Sequence, residues 1–156
     1  LFSSSIMENI LLFDDTISEE DVIIASKRIG VHDFIMDLPK GYNYVVGERG
    51  ITLSSGQRQL IAFLRVYLRN PSILVLDEAT SSIDSYTEDI LQLALSKVCE
   101  GRTTIIIAHR LSTIRDADSI LLLEDGVIIE QGNHHQLMIR NGKYKQMYDA
   151  QFTQDE

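Results

Sequence analysis

Ile73-Leu74-Val75-Leu76-Asp77-Glu78 places two carboxylates directly behind a compact apolar run. Such a run reads as a buried strand, and α/β sheets bind ligands beyond the carboxyl ends of their strands. Asp77 at that edge can hold Mg2+, directly or through water, and Glu78 can orient a water for in-line attack on a terminal phosphate. An ordinary strand with an acidic exit turn explains the same residues, so this pattern alone leaves both readings open. The segment Leu53-Ser54-Ser55-Gly56-Gln57-Arg58-Gln59 offers complementary chemistry. Ser54 and Gln57 have the spacing of a capping box, which by itself needs only a structural explanation. A helix start also presents free N–H groups and a positive dipole end to an anion, and Gly56 permits close approach. Ser54 can therefore cap a helix and hold a terminal phosphate with the same atoms.

The elements that must position these groups follow from periodicity. Residues 1 to about 70 read as helical. Ser18-Glu19-Glu20-Asp21 supplies a cap and an acidic first turn for a helix that Gly30 ends, and a short helix runs to Leu38 before a turn at Lys40-Gly41-Tyr42-Asn43. Ser54 opens a long amphipathic helix with apolar positions Leu60, Ile61, Leu64, Tyr67 and Leu68, closed by Asn70-Pro71. From residue 72 strands and helices alternate. Ser72–Leu76 and Thr103–Ala108 read as strands buried on both faces, with a helix over Ser85–Val98 between them. Ile120–Leu123 and Val127–Ile129 flank a hairpin turn at Asp125-Gly126, and helices after Asn133 and around Tyr144 finish the chain. The predicted fold is α/β: a helical lobe, residues 1–70, attached to a parallel-sheet core, residues 71–156.

Bulk properties narrow the function classes. Fourteen basic residues against 23 acidic ones give a net charge of −9, a poor match to nucleic-acid backbone. The single cysteine, Cys99, excludes an internal disulfide framework and reads as a buried small apolar residue. No apolar run approaches the eighteen or more residues of a membrane span, since Leu53–Leu68 is broken repeatedly by Gln and Arg. The first residues lack the layout of a signal peptide, so contact with a membrane is expected through a partner or a segment outside this chain. His134 and His135 are adjacent and point apart on a helix, a poor metal pair beside the better reading of Asn133 as a cap. Asp14-Asp15 and Glu19-Glu20-Asp21 read as a solvated turn and helix start.

Taken in order, Leu53-Ser54-Ser55-Gly56-Gln57, Asn70-Pro71, Ile73–Asp84 and Ile105–Ile114 resemble the nucleotide-binding domain of ATP-binding-cassette (ABC) proteins, and the similarity runs from Leu1 almost to the C-terminus. Leu38-Pro39-Lys40-Gly41-Tyr42 leading into Val46-Gly47-Glu48-Arg49-Gly50, the opening Leu1–Ile6 and Gly132-Asn133-His134 are similar to exporter-type members. The resemblance implies a partial P-loop NTPase (RecA-like) core with the ABC helical subdomain attached, lacking the N-terminal strands. It implies ATP and Mg2+ as ligands. Ser54, Ser55, Gly56 and Gln57 would form the signature motif, which contacts the γ-phosphate of ATP bound to the opposite subunit. Asp77 would help hold Mg2+, Glu78 would be the catalytic carboxylate, Asp84 would lie in the loop crossing the dimer interface, and His109 would be the switch histidine. The partners implied are a second nucleotide-binding domain, in a homo- or heterodimer, and a transmembrane domain, at the cytoplasmic face of the cell membrane, with no nucleic acid.

The sequence also departs from the family. No G-x-x-x-x-G-K-[ST] loop occurs, and the resemblance places that loop before Leu1. A piece without it is expected to hydrolyse ATP negligibly alone, because a Lys and a nest of N–H groups normally neutralise the phosphates. Missing core strands imply exposed apolar surface and a tendency to associate. Ser55 stands where the family usually has glycine, and Phe63 and Val66 replace small residues, which implies altered packing. Two other functions compete with an exporter's ATPase. A soluble ABC ATPase of DNA repair or chromosome organisation is disfavoured by net acidity, and by the absence of zinc-ligand cysteines and heptads. A non-catalytic partner lending only its signature motif is disfavoured by the presence of Glu78 and His109.

Overall fold

The computed structural model describes residues 1–47, 50–77, 85–108 and 114–152; the side chains of residues 85, 86, 151 and 152 are not described. The chain forms two compact units, one of Leu1–Val75 with Thr80–Ile105, the other of Leu76–Ala79 with Ile106–Glu156.

In the first unit, Ser5 caps α1 (Ile6–Leu11) and Ser18 caps α2 (Glu19–Arg28), each in a full capping box with the acid three residues on, Glu8 and Asp21. α3 (His32–Asp37) follows, and a 3-10 turn over Gly41–Asn43 lies within the expected turn. α4 (Ser55–Arg69) ends at Asn70, which takes the left-handed conformation with φ 46° and so stops the helix one residue before Pro71. Helices α1, α2 and α4 pack on one another, and Ile6, Ile10, Val22, Leu60, Ile61 and Leu64 are fully buried among them. Phe63 is also buried, so the bulkier residue is taken into the core. α5 (Ser85–Cys99) packs on α4 and buries Thr87, Leu91, Ala94 and Val98, one stripe at helical spacing. Two further polar contacts hold this region: Arg102 Nη2 donates to Asn70 Oδ1 at 2.7 Å, and its guanidinium lies 5.7 Å from the Tyr67 ring centre.

β1 (Ile73–Asp77) and β2 (Thr103–Ile107) pair in a small parallel sheet joined through α5. The expectation that both faces are buried is corrected. Leu74 is buried, whereas Ile73, Val75, Ile105 and Ile107 are each more than half exposed. With the two strands paired only to each other, one face of the ladder is covered and the alternate side chains stay in solvent. Cys99 is also corrected: it is half-buried at the end of α5, not enclosed.

The second unit contains the antiparallel hairpin β3 (Ile120–Glu124) and β4 (Val127–Gly132). Its two turn residues, Asp125 and Gly126, both have positive φ, 48° and 78°, as a type I′ turn requires. A register shift between Leu122 and Leu123 marks a bulge. α6 (His134–Arg140) is capped by Asn133 in a box with Gln136, and α7 is Lys143–Phe152. Ile120, Leu137 and Tyr144 form this unit's core, packed by Ile114, Ala117, Leu122, Met138 and Tyr148. Among the described residues no helix is long and apolar enough to cross a membrane.

Candidate functional site

Four of the sequence-predicted residues meet at the start of α4. Ser54 is extended (φ −64°, ψ 166°); its Oγ accepts the Gln57 N–H at 3.2 Å, and Gln57 Oε1 accepts the Ser54 N–H at 3.0 Å. The Arg58 N–H donates to Ser54 O at 3.0 Å and begins the helical ladder. Of the first N–H groups that a helix cannot satisfy internally, this box commits two, so those of Ser55 and Gly56 are left as donors at the positive end of the helix. Ser54 and Ser55 are exposed, Gln57 half-buried and Gly56 buried. That arrangement is chemically suited to an anion: one hydroxyl and two N–H groups on one turn.

The approach to this turn is fastened by Arg58. Its Nη1 donates to Leu53 O at 2.6 Å and to Gly50 O at 3.4 Å, so one guanidinium spans the loop preceding the cap. Gly50 has φ 73°, and a Cβ there would stand 2.9 Å from Leu1 Cδ1 and 3.0 Å from Arg58 Cδ. Only glycine meets both the torsion and the close approach. Leu53, the last residue before the cap, is buried and its N–H donates to Gly50 O at 2.9 Å.

Asp77 is the last residue of β1 and is exposed; it belongs to the second unit. Among the described residues no three of His, Cys, Asp or Glu converge as a metal site. An exposed carboxylate at a strand end suits Mg2+, which keeps several waters and takes one or two carboxylates together with substrate phosphates. Glu78, Asp84 and His109 lie outside the described residues, as do Glu48 and Arg49 of the exporter-like segment preceding the cap.

Other polar clusters have structural occupations. His134 Nδ1 lies 2.9 Å from the Tyr144 hydroxyl, so this histidine pairs with a buried tyrosine. Burial pushes the Tyr144 phenol up, with Tyr148 adding to the shift. In the first unit the Tyr42 hydroxyl sits 2.5 Å from Ser26 Oγ and 2.9 Å from His32 Nδ1, and burial likewise raises its pKa while the Ser26 bond opposes the rise. An open polar depression of about 550 Å³ in the second unit is lined by Asn133, Gln136 and Arg140 among others. Its main polar groups are already engaged, in the capping box and in an Arg140 Nη1 bond to Gln131 O at 2.8 Å. The acidic run behaves as a turn and helix start: Asp14 Oδ1 accepts from Thr16, and Asp21 completes the α2 cap. Sequence reasoning missed α1, Asn9 and Glu130. The Ser5/Glu8 spacing is a capping-box signal that marks α1; nothing local marks the other two.

Comparison with known proteins bears directly on this site. The family model described as ABC transporter matches residues 3–81, from before α1 through the start of α4 and β1. Proteins of Staphylococcus aureus named for multidrug export, as combined ATP-binding/permease proteins, are similar over 151 residues. That of strain NCTC 8325 is 50% identical and that of the bovine strain RF122 is 49% identical. Each match covers 97% of this chain, which spans about a quarter (26%) of the length of those relatives. A solved bacterial Atm1-family ABC exporter with ATP bound superposes with a TM-score of 0.84 at 45% identity, over 97% of this chain and 26% of that one.

Proposed function

Since this chain belongs to the ABC transporter family, as part of an exporter-type ATP-binding domain, we propose that it supplies the signature and catalytic half of an ATPase that drives an exporter. The observation that carries this reading is the start of α4, where Ser54 and Ser55 are exposed and Ser54 Oγ lies on the same turn as the N–H groups of Ser55 and Gly56. In this reading residues 1–70 act as the helical subdomain and residues 71–156 as the C-terminal part of the ATPase core.

Members of the family bind ATP. Ser54, Ser55, Gly56 and Gln57 hold the γ-phosphate of nucleotide carried by a second nucleotide-binding domain. Asp77 contributes a carboxylate to Mg2+, whose charge would offset that of the phosphates. Glu78 orients a water for attack on the γ-phosphorus, the bond to the ADP oxygen breaks, and His109 contacts the departing phosphate. Asp84 lies at the interface that joins the two domains. Phosphoryl transfer rests on positioning and charge stabilisation, so these groups act only alongside a phosphate cradle. The 156-residue chain alone is therefore expected to hydrolyse ATP negligibly. The transmembrane domain is the further partner, since the similar S. aureus proteins are combined ATP-binding/permease proteins, and the place of action is the cytoplasmic face of the membrane.

The test is a chimera in which this chain replaces the matching 151 residues of the S. aureus relative. ATP hydrolysis by the purified chimera, lost on Glu78→Gln, supports the reading. Equal turnover by the chimera and its Glu78→Gln form rejects it.

A further inference from the structure

α1 has six residues, too few to hold itself together, and its last carbonyls have no partner in the helical ladder. Two arginines one turn apart on α4 donate to them, Leu11 O accepting the Asp14 N–H as well at 3.1 Å. Arg65 Nε donates to Asn9 O at 2.6 Å, Arg69 Nη2 to Leu11 O at 2.8 Å, and Arg69 Nη1 to Ile10 O at 3.4 Å. Asn9 ties in a third segment. It is fully buried, and its Oδ1 accepts from Phe2 N at 2.8 Å and from Arg65 Nη2 at 3.1 Å. Its Nδ2 lies within hydrogen-bonding distance of Phe2 O (3.0 Å), Ser5 O (3.0 Å), Ser4 Oγ (3.0 Å) and Ser4 O (3.3 Å). An amide has two donors and two acceptor lone pairs, so every capacity of Asn9 is used. Residues 2–5, α1 and the third turn of α4 are thus one hydrogen-bonded body.

We propose that Asn9 and Arg65 are positioning residues that set the placement of the α4 start from its far side. α4 runs 15 residues, about 22 Å at 1.5 Å per residue, and contains neither Gly nor Pro after Gly56. It therefore moves as a rod. Whatever shifts residues 2–5 or α1 shifts the rod at Arg65 and redirects Ser54, while Arg58 holds the approaching loop to the same rod. The alternative, a bond set that merely glues α1 in place, confines its effects to α1. The consequence for ATP rests on the proposed function above; the mechanical coupling does not.

The test uses the full 156-residue chain without nucleotide, its backbone amides followed by NMR in the Arg65→Met, Arg65→Lys and Asn9→Asp forms. Arg65→Met removes both bonds, Arg65→Lys keeps the charge without the two-pronged geometry, and Asn9→Asp turns the donating amide into an acceptor facing three carbonyls. The expected result is displaced Ser55, Gly56 and Gln57 resonances together with exchange of the Leu12 and Arg58 amides about tenfold faster, the scale of one charge-assisted hydrogen bond. Changes confined to residues 2–12, with Ser55–Gln57 unmoved, overturn the proposal. Global unfolding of Arg65→Met shifts the decision to Arg65→Lys; unfolding of both also overturns it, as it would show a purely structural bond set. None of these outcomes depends on whether Ser54 meets phosphate, and a failed chimera assay leaves them unaffected.

Discussion

In the function proposed above Ser54 carries two duties, cap and phosphate contact, that ordinary truncation would damage together and that other substitutions separate. As a cap, its Oγ accepts one N–H, that of Gln57, at 3.2 Å. Ser54→Ala removes that acceptor and is expected to cost about 1 kcal/mol of stability, or about 2–4 °C in Tm for a chain of this size. Ser54→Asn and Ser54→Asp keep an equally good cap, so their Tm should stay within about 1 °C of the parent. Their effects on phosphate differ in sign. A carboxylate about 4 Å from one unit of phosphate charge costs about 4 kcal/mol at an effective dielectric of 20, about a thousandfold in the strength of that contact. Ser54→Asp should therefore leave the 156-residue chain as stable as the parent yet abolish ATP hydrolysis in the chimera, whereas Ser54→Asn should retain a measurable part of it. Differential scanning calorimetry on the chain and steady-state phosphate release from the chimera are the two measurements. Parental hydrolysis by the Ser54→Asp chimera would refute the phosphate role and leave Ser54 as a cap alone.

Gly142 precedes α7, and a Cβ there would collide with Glu130 Oε1. The Glu130 carboxylate accepts the Lys143 N–H at 2.5 Å and the Tyr144 N–H at 3.2 Å, capping α7 from β4. Gly142→Ala should therefore cost about 1–3 kcal/mol, seen as faster amide exchange of Lys143 and Tyr144; unchanged exchange would contradict this. Leu64 is fully buried, so Leu64→Ala should lose about 2–5 kcal/mol in urea unfolding, and a loss below about 1 kcal/mol would contradict the packing described. The backbone and side-chain bonds from Ser5 hold the Glu8 carboxyl below its ordinary range, and the side-chain and backbone bonds from Ser18 do the same for Asp21. Because both folded-state values are depressed, their contribution is present above the unfolded-state pKa and disappears as pH falls through the folded-state one. A Glu8→Gln/Asp21→Asn chain should show a flatter acid limb by circular dichroism, and an identical limb would count against the capping account.

The parts of this fold governed by neighbours in sequence were legible there. Ser18, Ser54 and Asn133 mark helix starts and Asp125-Gly126 a hairpin turn, because a cap or a two-residue turn is decided within four residues. What escaped was decided far along the chain. The carbonyls ending α1, a helix whose start Ser5 and Glu8 do mark locally, meet Arg65 and Arg69 more than fifty residues away, and α7, a helix the sequence announces, is capped by Glu130 on a neighbouring strand. The exposed side chains of β1 and β2 show the same limit: Ile73 and Val75 announce a strand, but whether a face is covered depends on what lies over it. The turn that starts α4 was legible down to its box, and the loop fastening by Arg58 was not, since an arginine on a helix surface gives no sign of which carbonyls it reaches.

Ser55 occupies the first position of α4 with no positive φ. Nothing in the torsion of that residue calls for glycine, so what it must satisfy is bulk. Ser55 is exposed, so its hydroxymethyl group meets open space, and a methyl would as well; a branched or aromatic side chain would reach farther over the turn. Variation at this residue is thereby graded by steric reach, with the backbone indifferent to it.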